Sequence, residues 1–333
     1  MTASGRIIGS VPASAGSGAE TDDVELPRGE LTALLYACTR DHVDYVFDDS
    51  IETLAHDDAG VKVTLRSGRA ATYEIVIGAD GLHSNTRRLA FGPEEQFHRY
   101  LGHCFVGFSV PNRFGFDHEA VLINSPGRMA ALYAAGSKPE LHALLAFRRA
   151  MPSRRELDDP EFQLRSVREA FVDPVGPVGW LLERMETASE LFYDTLSQIV
   201  MPAWSRGRVA LVGDAAAAPS FLSGEGTSLA LVGGYVLAAE LAATGGDHDR
   251  ALWAYQARLT DYVRRNQALA HTARRLMIPA SRAELAVRNL GLRLVPVLTR
   301  TGLLDRPRRD AATAVELPAL EGTGPPANPA RPR

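Results

Sequence analysis

The spacing of apolar residues predicts both helices and strands in the first third of the chain. Leu31, Leu34 and Leu35 follow Pro27 in PRGELTALLYACTR and have the spacing of one face of an amphipathic helix. Between Tyr45 and Ile77, the alternating run VKVTL, the turn signal SGR and the apolar run YEIVI follow one another. This pattern predicts a hairpin that leads into a central strand, and that strand ends at glycines.

The rest of the chain predicts a sheet followed by a strand and two long helices. Short aliphatic and aromatic runs from Phe97 to about Trp180 are separated by Gly, Pro and Asn, which is typical of a mostly antiparallel sheet. A short strand is predicted at Arg208–Val212, a long apolar helix from about Thr227, and a further helix from Ala251 to about Met277.

Composition and charge favour small-molecule chemistry. The 333 residues carry a formal net charge of −4, and 45% of them are hydrophobic, so the chain has an ordinary globular composition without a broad basic field. Nucleic acid is therefore not the expected partner. Cys38 and Cys104, which are far apart in sequence, do not suggest a disulfide framework and fit a reducing cytoplasm.

Export, a membrane span and metal or serine catalysis are not favoured by the sequence. The N-terminus lacks the charged and apolar regions of a secretory signal, and Leu229–Ala243 is shorter than the ~20 residues that a membrane helix needs. Neither H-E-x-x-H nor G-x-S-x-G occurs in the chain. We therefore expect no metal site and no membrane span.

The first motif with chemical meaning is GADGLHSNTRR, which follows the strand YEIVI. Asp80 is predicted at the C-terminal end of this strand, where open α/β sheets bind ligands, and Gly81 would let a ligand approach the backbone. Arg87 is available for phosphate or for fixing the loop. Alternatively, Asp80 caps a helix that starts near Ser84. The motif alone leaves both interpretations open.

The second motif, RVALVGDAAAAPSFLSGEGTSLALVGGYVLAAEL, is more specific. Its strand leads to Gly213 and Asp214, a loop with Pro219 follows, and the segment from Gly224 to Gly226 opens a helix. Free N–H groups at such a helix start stabilise negative charge on a ligand. The alternative is an ordinary strand–loop–helix unit with a glycine hinge.

The two motifs together resemble the D-G and G-D fingerprints of the group A flavoprotein monooxygenases, which include relatives of p-hydroxybenzoate hydroxylase and the tetracycline-modifying monooxygenases. The resemblance extends from about Gly5 to Met277. It implies that FAD is the cofactor and NAD(P)H the co-substrate. It also implies that Asp214 bonds the ribityl chain and that Gly224 and Gly226 lie beside the isoalloxazine ring.

The same resemblance assigns residues outside the second motif. It implies that Asp80 helps to hold the pyrophosphate region and is linked to NAD(P)H use, and that Arg28 contacts FAD from the P-R-G-E-L helix. The candidate cofactor-binding residues are therefore Arg28, Asp80, Gly81, Arg87, Gly213, Asp214, Pro219, Gly224, Gly226 and Thr227. The sequence identifies no catalytic residue.

The fold implied by the resemblance is α/β (α+β). We expect a three-layer FAD-binding domain of p-hydroxybenzoate hydroxylase type, N-terminally truncated, with an inserted and mostly antiparallel substrate domain. The predicted division is a partial FAD-binding domain at 1–96, a β-rich substrate domain at 97–195, completion of the FAD-binding domain at 196–280, and a helical segment with a disordered tail at 281–333.

The chain departs from the family pattern in two places. Ala217 and Ala218 stand where family members often have a histidine or an aromatic residue. The opening strand, G-x-G-x-x-G turn and helix are not found, because GSGAE follows no strand and opens no apolar helix. We expect either a start that lies upstream or a remnant or split product. Loss of a central strand would leave unpaired backbone groups and exposed apolar surface.

These observations predict an NAD(P)H-dependent hydroxylase. NAD(P)H would reduce FAD, dioxygen would add at flavin C4a, and the hydroperoxide would hydroxylate an aromatic or polyketide-like small molecule. The alternatives are a degenerate relative with weak or no FAD binding that acts as a binding protein, and a flavin oxidase or reductase on the same scaffold. A cytoplasmic location is expected, and assembly into a homo-oligomer is left open.

Overall fold

The computed structural model describes residues 28–57, 60–117, 119–134, 139–174, 176–292 and 306–319. The helices of these residues are α1 (Arg28–Thr39), α2 (Asn85–Ala90), α3 (Arg154–Leu157), α4 (Pro160–Ala170), α5 (Val178–Glu186), α6 (Asp214–Ala217), α7 (Gly226–Ala243), α8 (His248–Met277), α9 (Arg282–Leu292) and α10 (Arg306–Ala312). The strands are β1 (Ile51–His56), β2 (Val61–Leu65), β3 (Ala70–Tyr73), β4 (Val76–Gly78), β5 (His98–Pro111), β6 (Ala120–Ser125), β7 (Arg128–Tyr133), β8 (Glu140–Arg148), β9 (Phe192–Ile199), β10 (Ser205–Arg206) and β11 (Val209–Leu211).

The described residues belong to two compact units. The sheet unit comprises those within 1–47, 100–197 and 268–310, and the motif unit comprises those within 48–99, 198–267 and 311–333. Both chemical motifs of the sequence lie in the motif unit.

The sheet unit contains a five-stranded sheet with the strand order β6-β7-β8-β5-β9. The pairs β5/β8, β6/β7 and β7/β8 are antiparallel. Leu141, Leu145 and Phe147 of β8 are buried with residues of α4 and α5, including Leu181. The predicted antiparallel sheet is thus confirmed.

Helices α3, α4 and α5 interrupt the region that the sequence predicts as β-rich. Their starts have local signals: Ser153 and Glu156 form a capping box for α3, and Asp159 caps α4 with Pro160 in its first turn. The prediction missed these helices because they are short, at 4, 11 and 9 residues, and lie between segments with the pattern of strands.

The motif unit contains two three-stranded sheets, with the orders β1-β2-β3 and β10-β11-β4. The antiparallel pair β2/β3 is the predicted hairpin. Strand β4 pairs in parallel with β11 and stands at the end of its sheet, so within the described residues the prediction of a central strand is wrong. Val76 is buried, but Ile77 on the opposite face of β4 is 36% exposed. A run of apolar residues therefore does not show whether both faces of a strand are covered or both of its edges are paired.

Helices α7 and α8 form the core of the motif unit with β11. Val236, Leu237 and Leu259 are buried beside Leu211, and the Tyr255 hydroxyl donates a hydrogen bond of 3.1 Å to the Leu211 carbonyl oxygen. The two long helices predicted from the sequence are therefore present, and α7 begins at Gly226, one residue before the predicted start.

Apolar residues remain exposed in both units. Helix α1 is present as predicted, yet Leu34 and Leu35 of its apolar face are 55% and 47% exposed, and nearby Phe47 is 66% exposed. In the part of the chain that is described, only α7 is long and apolar enough to cross a membrane, and 33% of it is buried. The predicted loop GSGAE and the Pro-rich tail GTGPPANPARPR lie outside the described residues.

Candidate cofactor site

Two adjacent parallel strands bring the two sequence motifs to one sheet edge. Gly78, the last residue of β4, is in register with Leu211, the last residue of β11. The Val212 amide donates a hydrogen bond of 2.9 Å to the Gly78 carbonyl oxygen. Asp80 and Asp214 each follow within a few residues, at the position where open α/β sheets bind ligands.

The Asp214 carboxylate lies at the N-terminus of α7. Gly213 has φ +61° and ψ −141°, a conformation that favours glycine, and it turns the chain directly into α6. A Cβ atom built on Gly226 would lie 3.9 Å from Oδ1 of Asp214. The first N–H groups of α7 have no carbonyl one turn earlier to bond, so a hydrogen-bond acceptor and several donors are close together here.

A pair of glutamines fixes the loop between α6 and α7. The Gln198 side chain is buried, and its Nε2 donates to the carbonyl oxygens of Pro219 at 3.0 Å and Gln267 at 2.7 Å. Gln267 Nε2 in turn donates to the carbonyl oxygens of Ile199 at 2.8 Å and Ala218 at 3.3 Å. The sequence analysis missed both residues. Asp194, Thr195 and Ser197 of β9 are also polar, so no sequence signal singled out Gln198.

The end of this loop is held by its own side chains. The Ser223 hydroxyl donates to the Ser220 carbonyl oxygen at 2.9 Å and accepts from the Glu225 amide at 3.1 Å. Gly224 has φ +73° in the left-handed region, and Gly224 and Thr227 are exposed. The loop therefore presents small residues to solvent on a fixed backbone.

Ser220 differs from the rest of the loop in both its backbone conformation and its side-chain hydrogen bonding. Its backbone has φ +81° and ψ 145°, the residue is only 6% exposed, and its Oγ has no hydrogen-bond partner among the described residues. Buried polar groups almost always have a partner. Such an orphaned atom fits a site that is completed by a ligand. Ser220 lies within the second sequence motif, but its residue type does not reveal its conformation, so sequence reasoning missed it.

The Asp80 carboxylate is engaged by the start of α2. Its Oδ2 accepts hydrogen bonds from the Thr86 amide at 2.8 Å and the Thr86 hydroxyl at 3.0 Å, and its Oδ1 accepts one from the Ser84 hydroxyl. Ser84 itself caps the helix through the Arg87 amide. These contacts agree with the alternative interpretation of the motif, in which Asp80 caps a helix that starts near Ser84. Asp80 nevertheless remains exposed, and Gly81 with φ +80° leaves the loop open.

Arg87 joins the two motifs from inside the protein. Its side chain is 0% exposed, with Nη1 donating to the Ala215 carbonyl oxygen at 3.0 Å and Nη2 donating to the Leu82 carbonyl oxygen at 2.6 Å and to Glu94 at 2.8 Å. Burial lowers the pKa of Arg87, although the charges of Glu94 and Asp80 oppose this. Of the two predicted roles for Arg87, these contacts correspond to fixing the loop.

Glu94 is the counter-ion of this buried arginine. Its other oxygen lies 2.9 Å from Nδ1 of His83. Burial alone would raise the pKa of Glu94, but the hydrogen bond with His83 and the charges of His83, Arg87 and His98 outweigh it, so the pKa lies below its ordinary value.

Nine of the ten candidate residues lie in the motif unit. Arg28, the first residue of α1, belongs to the sheet unit. Within the described residues, no group of three or more His, Cys, Asp or Glu side chains is placed to hold a metal ion.

A family model described as an FAD binding domain matches residues 21–273. The chain belongs to this FAD-binding family. It is 43% identical to the uncharacterised protein Rv1260 of Mycobacterium tuberculosis over 256 residues, which cover 76% of the chain and 68% of that relative. It is also 36% identical over 269 residues to a flavin-dependent monooxygenase from an unknown prokaryotic organism, covering 80% of the chain and 69% of that protein.

Solved structures of FAD-binding monooxygenases agree with this assignment. The crystal structure of the tetracycline destructase Tet(55) matches with a TM-score of 0.72 and 34% sequence identity, covering 88% of the chain and 74% of Tet(55). The predicted family and the mixed α/β fold are therefore confirmed. The chain is an FAD-dependent oxidoreductase of the monooxygenase family, and FAD is its cofactor.

Proposed function

We propose that this FAD-family member hydroxylates a small aromatic or polyketide-like molecule with NAD(P)H and dioxygen. The observation that carries the proposal is the Asp214 carboxylate beside Gly226, where Oδ1 lies 3.9 Å from a Cβ built on the glycine. A carboxylate accepts hydrogen bonds from ribityl hydroxyls, and the neighbouring glycines leave room for a flat ring. The residues present therefore fit FAD.

The roles of the protein groups follow from their chemistry. Bound FAD, reduced by NAD(P)H, supplies the activation of dioxygen and the transfer of one oxygen atom to the substrate. The N–H groups of Gly226 and Thr227, at the positive end of the α7 dipole, would stabilise negative charge on the ring edge. Asp214 would orient the cofactor, while Gln198 and Gln267 keep the loop from moving. Asp80 would help to hold the pyrophosphate region of FAD, as the family resemblance implies.

Substrate class and location are part of the same proposal. The relatives named above include a flavin-dependent monooxygenase and a tetracycline destructase, which supports an aromatic or polyketide-like substrate for this chain. Cys38 and Cys104 are free, in keeping with a reducing cytoplasm.

The test is the visible spectrum of the purified chain with added FAD. The proposal predicts bound-flavin bands that bleach on adding NAD(P)H in the absence of oxygen. Asp214→Ala should weaken FAD binding about tenfold or more, since a charge-assisted hydrogen bond is lost. The exposed carboxylate of Asp249 provides the control, and Asp249→Ala should bind FAD as the wild type does.

Three other outcomes have distinct meanings. A folded chain that takes up no FAD would reject the proposal in favour of a degenerate binding protein. Oxygen consumption that gives only hydrogen peroxide with every aromatic compound tested would indicate an oxidase. Flavin reduction without oxygen consumption would indicate a reductase.

A further inference from the structure

Ser220 combines two unfavourable features in one residue. Its positive φ of +81° with ψ 145° lies in a region that side-chain-bearing residues rarely adopt. Its hydroxyl is buried, with no hydrogen-bond partner among the described residues. Either feature alone is uncommon, and their coincidence in the loop of the second motif points to a function.

The surrounding structure imposes this conformation. The carbonyl oxygen of Pro219 accepts from Gln198, and that of Ala218 accepts from Gln267 and from the Ile199 amide at 3.1 Å. On the other side, the Ser220 carbonyl oxygen accepts from the Ser223 amide at 3.0 Å and from the Ser223 hydroxyl. The backbone is therefore held at both ends of the residue, which fixes where its Oγ lies.

Ser223 provides the natural comparison. It is three positions away and equally buried, but its hydroxyl is satisfied within the protein by the Ser220 carbonyl oxygen and the Glu225 amide. The Ser223 hydroxyl thus has a structural role in the chain itself, and that of Ser220 has none.

We propose that the Ser220 hydroxyl is a hydrogen-bonding group for the isoalloxazine ring of bound FAD. Ser220 lies between Asp214 and Gly224 in the loop that joins α6 to α7, and the resemblance assigns these two residues to the ribityl chain and the ring, so we take the ring as the partner of its hydroxyl. This assignment rests on the proposed function. It adds a residue of the second motif that is not among the ten candidate residues.

The experiment compares Ser220→Ala, Ser220→Gly and Ser223→Ala in the full chain. Two quantities are measured for each: the melting temperature without flavin, and the dissociation constants of FAD and FMN by flavin fluorescence. Ser220→Ala should keep the wild-type melting temperature and raise both dissociation constants by about fivefold, the effect of one lost hydrogen bond. Equal factors for FAD and FMN are expected because the two share the ring.

Ser220→Gly separates the hydroxyl from the backbone strain. Glycine adopts positive φ freely, so the flavin-free protein should melt at a higher temperature while flavin binding weakens as in Ser220→Ala. Ser223→Ala should instead lower the melting temperature of the flavin-free protein.

Several results would overturn the assignment. Unchanged dissociation constants in Ser220→Ala, with FAD binding intact in the wild type, would reject the role of Ser220 and leave the proposed function standing. A loss of affinity for FAD but not FMN would place the contact away from the ring. A fall in melting temperature as large as that of Ser223→Ala would show a structural role. A wild-type chain that binds neither flavin would reject both proposals.

Discussion

At the scale of single residues, a buried ion pair supports the site. Arg87 bonds the Ala215 carbonyl oxygen in the second motif and the Leu82 carbonyl oxygen in the first, and Glu94 balances its charge. An uncompensated charge in such a position is costly because neither water nor a counter-ion replaces the lost partner. The relative position of the two motifs therefore depends on a residue that does not need to touch the cofactor.

Glu94→Gln should destabilise the chain in a pH-dependent way. The pKa of Glu94 lies below its ordinary value of 4.5, so its contribution to stability is complete above that pH and is lost as the pH falls through the lower folded value. At pH 7 the substitution should reduce the free energy of unfolding by about 3 kcal/mol, the typical effect of removing one partner of a buried pair. Denaturant unfolding at pH 7 and at low pH measures this.

The difference between wild type and Glu94→Gln should shrink as the pH falls below the ordinary value. Glu95→Gln, at an exposed neighbouring position, serves as the control and should change stability little at either pH. A difference that stays constant down to acid unfolding would contradict the role of the ionised Glu94.

Gly213→Ala should strain the turn that delivers Asp214. Position 213 has φ +61°, and a Cβ there would lie 3.3 Å from the Cβ of Ala230. We expect a loss of about 2 kcal/mol in the free energy of unfolding. Gly234→Ala is the matched control, because its Cβ would meet nothing within 4 Å and alanine favours a helix interior. Equal effects of the two substitutions in thermal unfolding would refute the backbone argument.

At the scale of elements, the sequence predicted the individual strands and helices of the site better than it predicted which elements they pair with or pack against. The strand–loop–helix from Val209 to Ala243 was predictable because its glycines mark the turns and its long apolar run is typical of a buried helix. The edge position of β4 and the exposure of Leu34 were not, since periodicity reports that a face is apolar but not what covers it. Gln198 was missed because its hydrogen bonds reach residues distant in sequence. Ser220 was missed because neither its positive φ nor its unbonded hydroxyl follows from the residue type.

The glutamine pair makes a prediction at this scale. Gln198→Leu would leave the carbonyl oxygens of Pro219 and Gln267 without their donor in a buried position. We expect a loss of about 2 kcal/mol in the free energy of unfolding and weaker FAD binding, because the loop is no longer fixed. Gln96→Leu, at an exposed position, is the control and should change neither quantity appreciably. Chemical unfolding and FAD titration measure the two effects, and unaltered FAD affinity would separate the glutamines from the site.

At the scale of the whole molecule, apolar surface remains open in each unit. In the sheet unit, Leu34, Leu35 and Phe47 are exposed, and in the motif unit Phe221 and Leu231 beside the start of α7 are 50% and 47% exposed. If FAD binds beside the start of α7 as proposed, it would interact with the motif unit only in its folded state.

Binding of FAD should therefore raise the thermal stability of the chain. A ligand that binds only the folded state adds about 2.7 kcal/mol at a concentration of one hundred times its dissociation constant. For a protein of 333 residues, this corresponds to a rise of roughly 4 °C in melting temperature. Asp214→Ala should show a smaller rise at the same FAD concentration, whereas Asp249→Ala should match the wild type. The rise should grow with the logarithm of FAD concentration, and equal curves for Asp214→Ala and wild type would show that the carboxylate beside Gly226 does not hold the cofactor.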